Sequence, residues 1–535
     1  MKKMIATVLA FTLAMGVFAP TVLYADDTIS ITINGTYISF DVPPRIVNDR
    51  TMLPLRAIGE ALGMTVLHDP EANTAILIQG DTTIIHEIGT ANITVNGVTS
   101  EFDVPSMLVE NRTLMPVRML AEAIGADVDW VNETRTVTVD TRVSAAAQPT
   151  PTPQPTPTPQ ATVDYITIRG VRYSTSLTRL ELSSSALQNQ DIAPLRYMVN
   201  LTVLLLDSNQ ISDITPLVGL TNLEFLRLDG NQIGNIAPLA GLTSLDHLNL
   251  QDNRISDITS LAGLTNLRYL WLDGNQISNI APLAGLTSLG DLTLQNNRIS
   301  DIAPLAGLTN LEFLWLDGNQ IDNIAPLAGL TSLGNLNLQN NRISDITSLA
   351  GLTNLTDLSL AHNQISNVTP LAGLMSLRFL RLDGNQINNL EPLAGLTTLI
   401  QLHLDNNQIN NIAALSELTN LVHLFLDNNQ VSDLTPISNH MNLIHLSLSS
   451  NRISNLEPLA RLTGLMGLNV FDNQISDISP LSGLVSLTDL NLWRNQVSDI
   501  SPLRGLINLE WLEIWENPIA DWSPVQHVPR VFGRP

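Results

Sequence analysis

The sequence predicts a multi-domain protein: a small α/β domain built from two internal repeats, a Pro/Thr-rich linker, and then a long solenoid of stacked coils whose strands form one parallel sheet. Three observations predict it. Asparagine recurs at fifteen positions spaced 22 apart, from Asn209 to Asn517. Residues 28–141 repeat themselves at an offset of 62. Six prolines alternate with Thr or Gln between Pro149 and Pro159. A chain of 535 residues also exceeds what one compact core usually accommodates.

The amino terminus reads as an export signal. Lys2 and Lys3 precede an apolar run from Met4 to Phe18, and Leu23-Tyr24-Ala25 stands before Asp26-Asp27, the charged, apolar, small-residue order of a cleaved leader over residues 1–25. Removing it would leave 24 arginines, no lysine and a net charge of −26, against −24 for the whole chain. No later stretch reaches the roughly 20 apolar residues of a membrane span. The expected location is therefore secreted or cell-surface, with wall association as the finer alternative. With no cysteine, neither disulfides nor thiolate metal sites stabilise the fold.

In residues 28–141, Asn34-Gly35 returns as Asn96-Gly97, Arg50-Thr51 as Arg112-Thr113, Pro54 as Pro116 and Gly63 as Gly125. Each copy predicts a tight hairpin at its Asn-Gly pair, and then a short amphipathic helix, Leu55 to Leu62 in the first copy, opened by Pro54 and closed by Gly63. A closing strand follows, Thr134 to Val139 in the second copy. The paired segments Asp49 to Arg56 and Asn111 to Arg118, with Leu62-Gly63 and Ile124-Gly125, resemble the copper amine oxidase N-terminal-like domain of secreted Gram-positive proteins. The resemblance implies an accessory stalk or wall-contacting module. Copper chemistry needs clustered imidazoles, and this region holds only His68 and His86. Arg56 and Arg118 are its candidate contacts for an anionic wall polymer; ordinary helix-surface ion pairing is the plainer reading.

Residues 144–160 form the linker. Alternating proline excludes helix and sheet and favours extended polyproline II, a semi-rigid spacer. Beyond it, each 22-residue unit follows L-x-x-L-x-L-x-x-N-x-I, as in Leu223, Leu226, Leu228, Asn231 and Ile233, the signature of a leucine-rich repeat. One coil cannot bury its apolar side alone, so coils stack their Leu and Ile residues into a continuous core. Each Asn is expected inside the bend, satisfying backbone groups. At about 4.8 Å per coil the fifteen units extend roughly 70 Å. Residues 163–185 read as the amino-terminal cap, where Ser185 takes the Asn place and the step to Asn209 is 24. Repeats occupy 186–519, and 520–535 is a carboxy-terminal cap or tail. The wording of the repeat, as in Asn209 to Leu223, resembles the internalins. That resemblance implies capture of a protein on the concave sheet face, with 3₁₀ turns behind. The Leu-Pro-x-Thr-Gly sorting motif and Gly-Trp wall modules of that family are missing from this sequence, so ligand binding is expected without host invasion.

Strand residues alternate faces, so those two, four and six places before each Asn point to the concave surface. All eleven aromatic residues between 200 and 520 fall there: Phe225, Tyr269, Trp271, Phe313, Trp315, Phe379, Phe425, Phe471, Trp493, Trp511 and Trp515. Arg227, Asp273, Asp317 and Arg381 share that face, and with the rings they form the predicted ligand-binding surface. Strand propensity and duplication offer a plainer origin for the rings, since residues 265–308 and 309–352 match at 37 of 44 positions. An aspartate column at 207, 229, 273, 317, 383, 405 and 427 makes the groove acidic. It favours a partner with basic and apolar patches, or serves only as a solvated edge.

Acidity argues against nucleic acid and anionic membranes, and the absence of lysine beyond the leader excludes lysine catalysis. No glycine-rich phosphate loop, zinc-protease helix or Gly-x-Ser-x-Gly elbow occurs. His403, His423 and His445, with Asp405 and Asp427, offer at best a weak divalent-metal site. No catalytic residue, cofactor or metal is expected. The reading is a binding or adhesion protein; the alternative is a carbohydrate or cell-wall module, and amine oxidation is a third that rests on a domain name alone.

Overall fold

The computed structural model describes residues 29–141, apart from short internal stretches, and residues 164–534. The predicted leader, the Pro/Thr linker, the Asn96-Gly97 turn and Gly125 lie outside the described residues. The chain divides into two compact units, separating between Thr156 and Pro157.

In the amino-terminal unit the 62-residue offset is a structural repeat. Strand Arg45–Val47 returns as Met107–Val109, Arg50–Pro54 as Arg112–Pro116, and helix α1 (Leu55–Ala61) as α2 (Val117–Ala123). Strand outweighs helix, because only seven residues per copy are helical. The Asn-Gly turn forms as predicted: Asn34 and Gly35 take φ of +49° and +83°, the left-handed values that a two-residue hairpin turn demands. Asn34 also bonds Thr141, its Nδ2 donating to the hydroxyl at 2.8 Å and its Oδ1 accepting the backbone N–H at 2.9 Å. This ties the first strand to the last, and Ser30–Ile33 runs parallel to Thr136–Asp140. The closing strand thus begins at Thr136; residue 134 lies outside the described residues. Gly63, at φ +79°, ends α1 as expected. The copies meet where Arg50–Pro54 pairs antiparallel with Arg112–Pro116, placing Leu53 opposite Met115. Those two residues are themselves 62 apart, so a pseudo-two-fold axis passes between them. Both are fully buried, beside Ile58 of α1 and Leu120 of α2.

The second unit opens with a hairpin, Tyr165–Ile168 and Val171–Ser174, that covers the first coil. A 17-stranded parallel sheet follows, from Arg179–Glu181 to Arg530–Phe532. Each strand has three residues and pairs in register with the next, Leu180 with Leu204, Leu204 with Leu226, and so on to Leu512 with Val531. Residues 520–535 are therefore more than a tail: a 3₁₀ turn, Ser523–Val525, and strand Arg530–Phe532 complete a last shortened coil. The extra residues of the 24-residue first step form a helical turn, Asn189–Ile192, before the 3₁₀ segment.

Local chemistry closes each coil. Ladder Asn319 donates from Nδ2 to the carbonyls of Leu294 and Leu316 at 2.9 and 3.0 Å and accepts the Ile299 N–H at Oδ1, 3.0 Å. The same three bonds recur from coil to coil, as at Asn231 and Asn495. The residue before each ladder Asn is left-handed, with φ from +51° to +69°, which explains the frequent Asp-Gly-Asn and Asn-Asn wording. On the far side an Asp or Asn opens each 3₁₀ turn, as Asn323 Oδ1 accepts the Ala325 N–H. A second, unpredicted ladder runs along another edge, where Asn222, Asn266 and Asn310 donate to carbonyls of the preceding coil.

Between these ladders the Leu and Ile residues form one continuous core with almost no exposure. His440 is the exception in chemistry: it stands where neighbouring coils place Leu418 and Leu462, fully buried. Burial pushes its pKa below 6.5. The carbonyls of Leu415 and Ile437 oppose that shift, although neither ring nitrogen completes a hydrogen bond.

Two predictions follow from these contacts. Asn319→Ala leaves the buried Ile299 N–H without an acceptor and takes one of two ladder donors from the carbonyls of Leu294 and Leu316, which keep Asn297 and Asn341; it lowers unfolding free energy by about 2–3 kcal/mol, whereas Asn323→Ala, at a solvent-facing turn, costs about 1 kcal/mol, and equal losses in chemical denaturation would remove the ladder's special role. His440→Leu raises stability at pH 7.5 by about 1–3 kcal/mol. The unfolded chain protonates this histidine near pH 6.5 while the buried ring resists, so wild-type stability is complete above 6.5 and falls as pH drops. The gap between variant and wild type should widen from pH 7.5 to pH 5, as measured by thermal unfolding at each pH.

Candidate ligand-binding face

Each three-residue strand from Arg179–Glu181 to Trp511–Glu513 buries its central Leu and turns its first and third residues outward, and the alternation continues two residues further to the place before the left-handed turn. Every predicted ring therefore lies off the core. Tyr269, Phe313, Trp315, Phe379 and Trp515 are exposed, Trp515 by half; Phe225, Trp271, Phe425, Phe471, Trp493 and Trp511 are partly exposed. They line one continuous sheet in three columns.

The rings are held, not loose. In the duplicated units Trp271 Nε1 donates to Asp291 at 3.1 Å and Trp315 Nε1 to Asn335 at 2.7 Å, each reaching the next strand. Phe225, His247 and Tyr269 stack in successive coils, the last pair at 4.1 Å between centroids. Phe471 tilts on Trp493, and Trp511 on Phe532. His247 and Phe532 were not among the predicted residues. His247 is visible in the sequence as the residue six places before Asn253, whereas Phe532 follows no repeat motif.

The aspartate column differs from the solvated edge expected as its plainer reading. Asp207, Asp273 and Asp383 are buried, at 8, 7 and 6% exposure. Asp273 accepts the Thr293 hydroxyl at 2.7 Å and the Gln295 N–H at 2.9 Å, and Asp427 accepts both hydroxyls of Ser447 and Ser449. Burial raises the carboxyls of Asp317 and Asp427 above the usual range, against hydrogen bonds that lower them. Arg227 pairs with Asp229 at 3.1 Å and Asp207 at 3.7 Å, and Arg381 with Asp383 at 3.3 Å. These charges brace the rim of the sheet, because a carboxylate taken from water needs donors. Sequence position alone does not distinguish a braced aspartate from a free one.

His423 and His445 stack in adjacent coils at 5.1 Å, and His403 stacks on Phe425 at 4.3 Å. Burial first, then its two histidine neighbours, lower the pKa of His423. Among the described residues no group of His and carboxylates is arranged to hold a metal ion. In the amino-terminal unit His86 is a structural residue: it is fully buried, with Nδ1–H donating to the Asn92 carbonyl at 2.7 Å and Nε2 accepting the Ser106 hydroxyl at 2.6 Å. The His68 side chain lies outside the described residues. No helix among the described residues is long and apolar enough to cross a membrane.

Comparison with known proteins agrees with this geometry. The family model of the copper amine oxidase N-terminal domain matches residues 32–139. The leucine-rich-repeat model matches 199–241, 243–285, overlapping stretches from 287 to 395, 397–439 and 467–505, together more than half of the chain. No curated protein matches. Among solved structures, an internalin of Listeria monocytogenes, inlF, is 32% identical over 64% of this chain and 89% of its own, with a TM-score of 0.48. A leucine-rich-repeat protein of Leptospira interrogans is 25% identical over 66% of this chain and 96% of its own, with a TM-score of 0.61. The plant peptide hormone receptor RGFR1, in complex with RGF2, is 24% identical over 65% and 64%, with a TM-score of 0.55. By its repeats, their register and the repeat model that matches more than half of its length, the chain belongs to the leucine-rich-repeat family, and its residues 32–139 match the copper amine oxidase N-terminal domain.

Proposed function

We propose that this chain is an exported binding protein, secreted or displayed at the cell surface, that captures a protein ligand on the concave face of its solenoid. One observation carries the reading: all eleven aromatic side chains between residues 200 and 520 sit on the outward places of the sheet and none in its core. Apolar rings on an exposed, backbone-rigid face lose little entropy on contact and are the side chains that dominate protein interfaces. Tyr269, Trp271, Phe313 and Trp315 are the proposed centre. The anchored indoles are pre-organised there, which lowers the cost of binding. The RGF2-bound plant receptor supports a solenoid of this fold as a peptide holder. The amino-terminal domain is read as an accessory module that spaces the solenoid from the cell or touches a wall polymer through Arg56 and Arg118; amine oxidation has no residue in its favour.

The test immobilises the full chain and offers surface proteins and purified wall glycans in parallel. Trp271→Ala with Trp315→Ala should weaken protein capture by about 2–4 kcal/mol, read as the shift in half-saturating concentration. Selective retention of glycans would replace this reading with the carbohydrate one, and unchanged protein capture by the double variant would remove the proposed centre.

A further inference from the structure

Among the first residues of the seventeen strands Gly467 alone has no side chain. Its register partners, His445 and Asp489, carry theirs on either side, so the sheet face opens there into a hollow of about 290 Å³. The His445 ring leans over the glycine, where a Cβ at 467 would meet it at 2.5 Å, and so forms one wall of the hollow. Trp511 walls the hollow beyond Asp489, and Asn491 and Glu513 line its floor. Glu513 is half-buried and braced, its Oε1 accepting the Trp511 indole N–H at 2.9 Å and its Oε2 the Asn491 amide at 2.7 Å. Asp489 is exposed and accepts only the Thr488 hydroxyl, at 2.7 Å. Unlike Asp207, Asp229 and Asp383, which have arginine partners, neither Asp489 nor Glu513 pairs with a cation among the described residues.

We propose that this hollow receives an arginine side chain presented by the captured protein. The proposal rests on the concave-face reading and adds the chemistry of one contact to it. The arginine stem would lie against the His445 imidazole, which leans over Gly467, and beside Asp489. Its planar guanidinium would lie on Trp511 and donate to Asp489 and to the lone pairs Glu513 retains. Lysine fits less well, because a point-like ammonium neither stacks nor forks between two carboxylates. The protein already uses such a pairing: the Arg530 guanidinium lies 5.6 Å from the Trp511 ring centroid, on the next strand beyond, and that of Arg172 lies 4.0 Å from Tyr165.

Saturation-transfer NMR on the full chain tests this with N-acetyl-arginine amide, its lysine and leucine counterparts, and N-acetylglucosamine as probes. Arginine amide should bind most tightly. Glu513→Gln and Asp489→Asn should each weaken it by about ten-fold, as expected for losing a charge-assisted hydrogen bond. Gly467→Phe, whose ring must push the His445 imidazole aside and fill the hollow, should abolish binding while preserving the strand, because Phe225, Phe313 and Phe379 occupy the same place in other coils. Equal binding of the leucine or sugar probe, or arginine binding that survives Gly467→Phe, overturns the proposal. The two readings fail separately. Arginine binding in a chain that captures no protein leaves the hollow standing and sinks the function; capture that depends on Trp271 and Trp315, with no arginine binding, does the reverse.

Discussion

The asparagine ladder is the constraint from which the rest of the solenoid follows. A chain that turns sharply every 22 residues buries carbonyl and N–H groups at each bend, where neither sheet nor solvent reaches them. One primary amide per coil satisfies two carbonyls and one N–H, and it joins the coil to its predecessor: Asn319 spans Leu294, Ile299 and Leu316. The left-handed residue before it sets the direction of return. Once that bend is closed, the strand before it has a single register, and the places of inward Leu and outward residue are settled for every coil. Stacking then makes the core one continuous body, in which each coil depends on its neighbours.

The amino-terminal unit meets the same problem by another route. Its two copies cannot stack indefinitely, so they close on each other about the Leu53–Met115 pair, and the Asn34–Thr141 bonds join the first turn to the last strand. Duplication supplied both units, but the products differ because a 22-residue coil leaves two open faces and a 62-residue copy leaves one. The solenoid therefore needs caps at both ends. The hairpin at 165–174 covers one, and the shortened coil ending in Arg530–Phe532 finishes the other.

Much of this was legible in the sequence, for a physical reason: a period that repeats fifteen times marks the inward positions directly, and alternation around them gives the outward ones. The rings of Trp271 and Trp315, the stacked His423 and His445 and the Asn34-Gly35 turn all stand where pattern and turn chemistry predict. What escaped was whatever depends on partners from other coils. Asp273 and Asp317 share a sequence place, yet one is sunk beneath Thr293 and Gln295 and the other is partly exposed. The second asparagine ladder, at Asn222 and Asn266, was concealed because Asn beside Thr reads as ordinary turn composition. His440 was hidden in the opposite way: a histidine suggests a surface, and the stacking of coils overrode that suggestion.

This division bears on how such a surface acquires specificity. Net charge and an acidic column can draw a cationic partner from a distance, within the screening length of the medium. Most rim carboxylates are nevertheless spent on arginines, hydroxyls and backbone N–H groups of the same chain, so they hold the face in shape more than they contact a ligand. In a repeated scaffold, close discrimination must therefore reside where the repeat lapses. A ring placed where others carry Asp or Asn, or a glycine where every other strand carries a side chain, changes the surface without disturbing the bend beneath it. Because the ladder bears the structural load from behind the sheet, the outward columns are free to vary, and the fold can take a new partner by altering two or three side chains on a frame that stays the same.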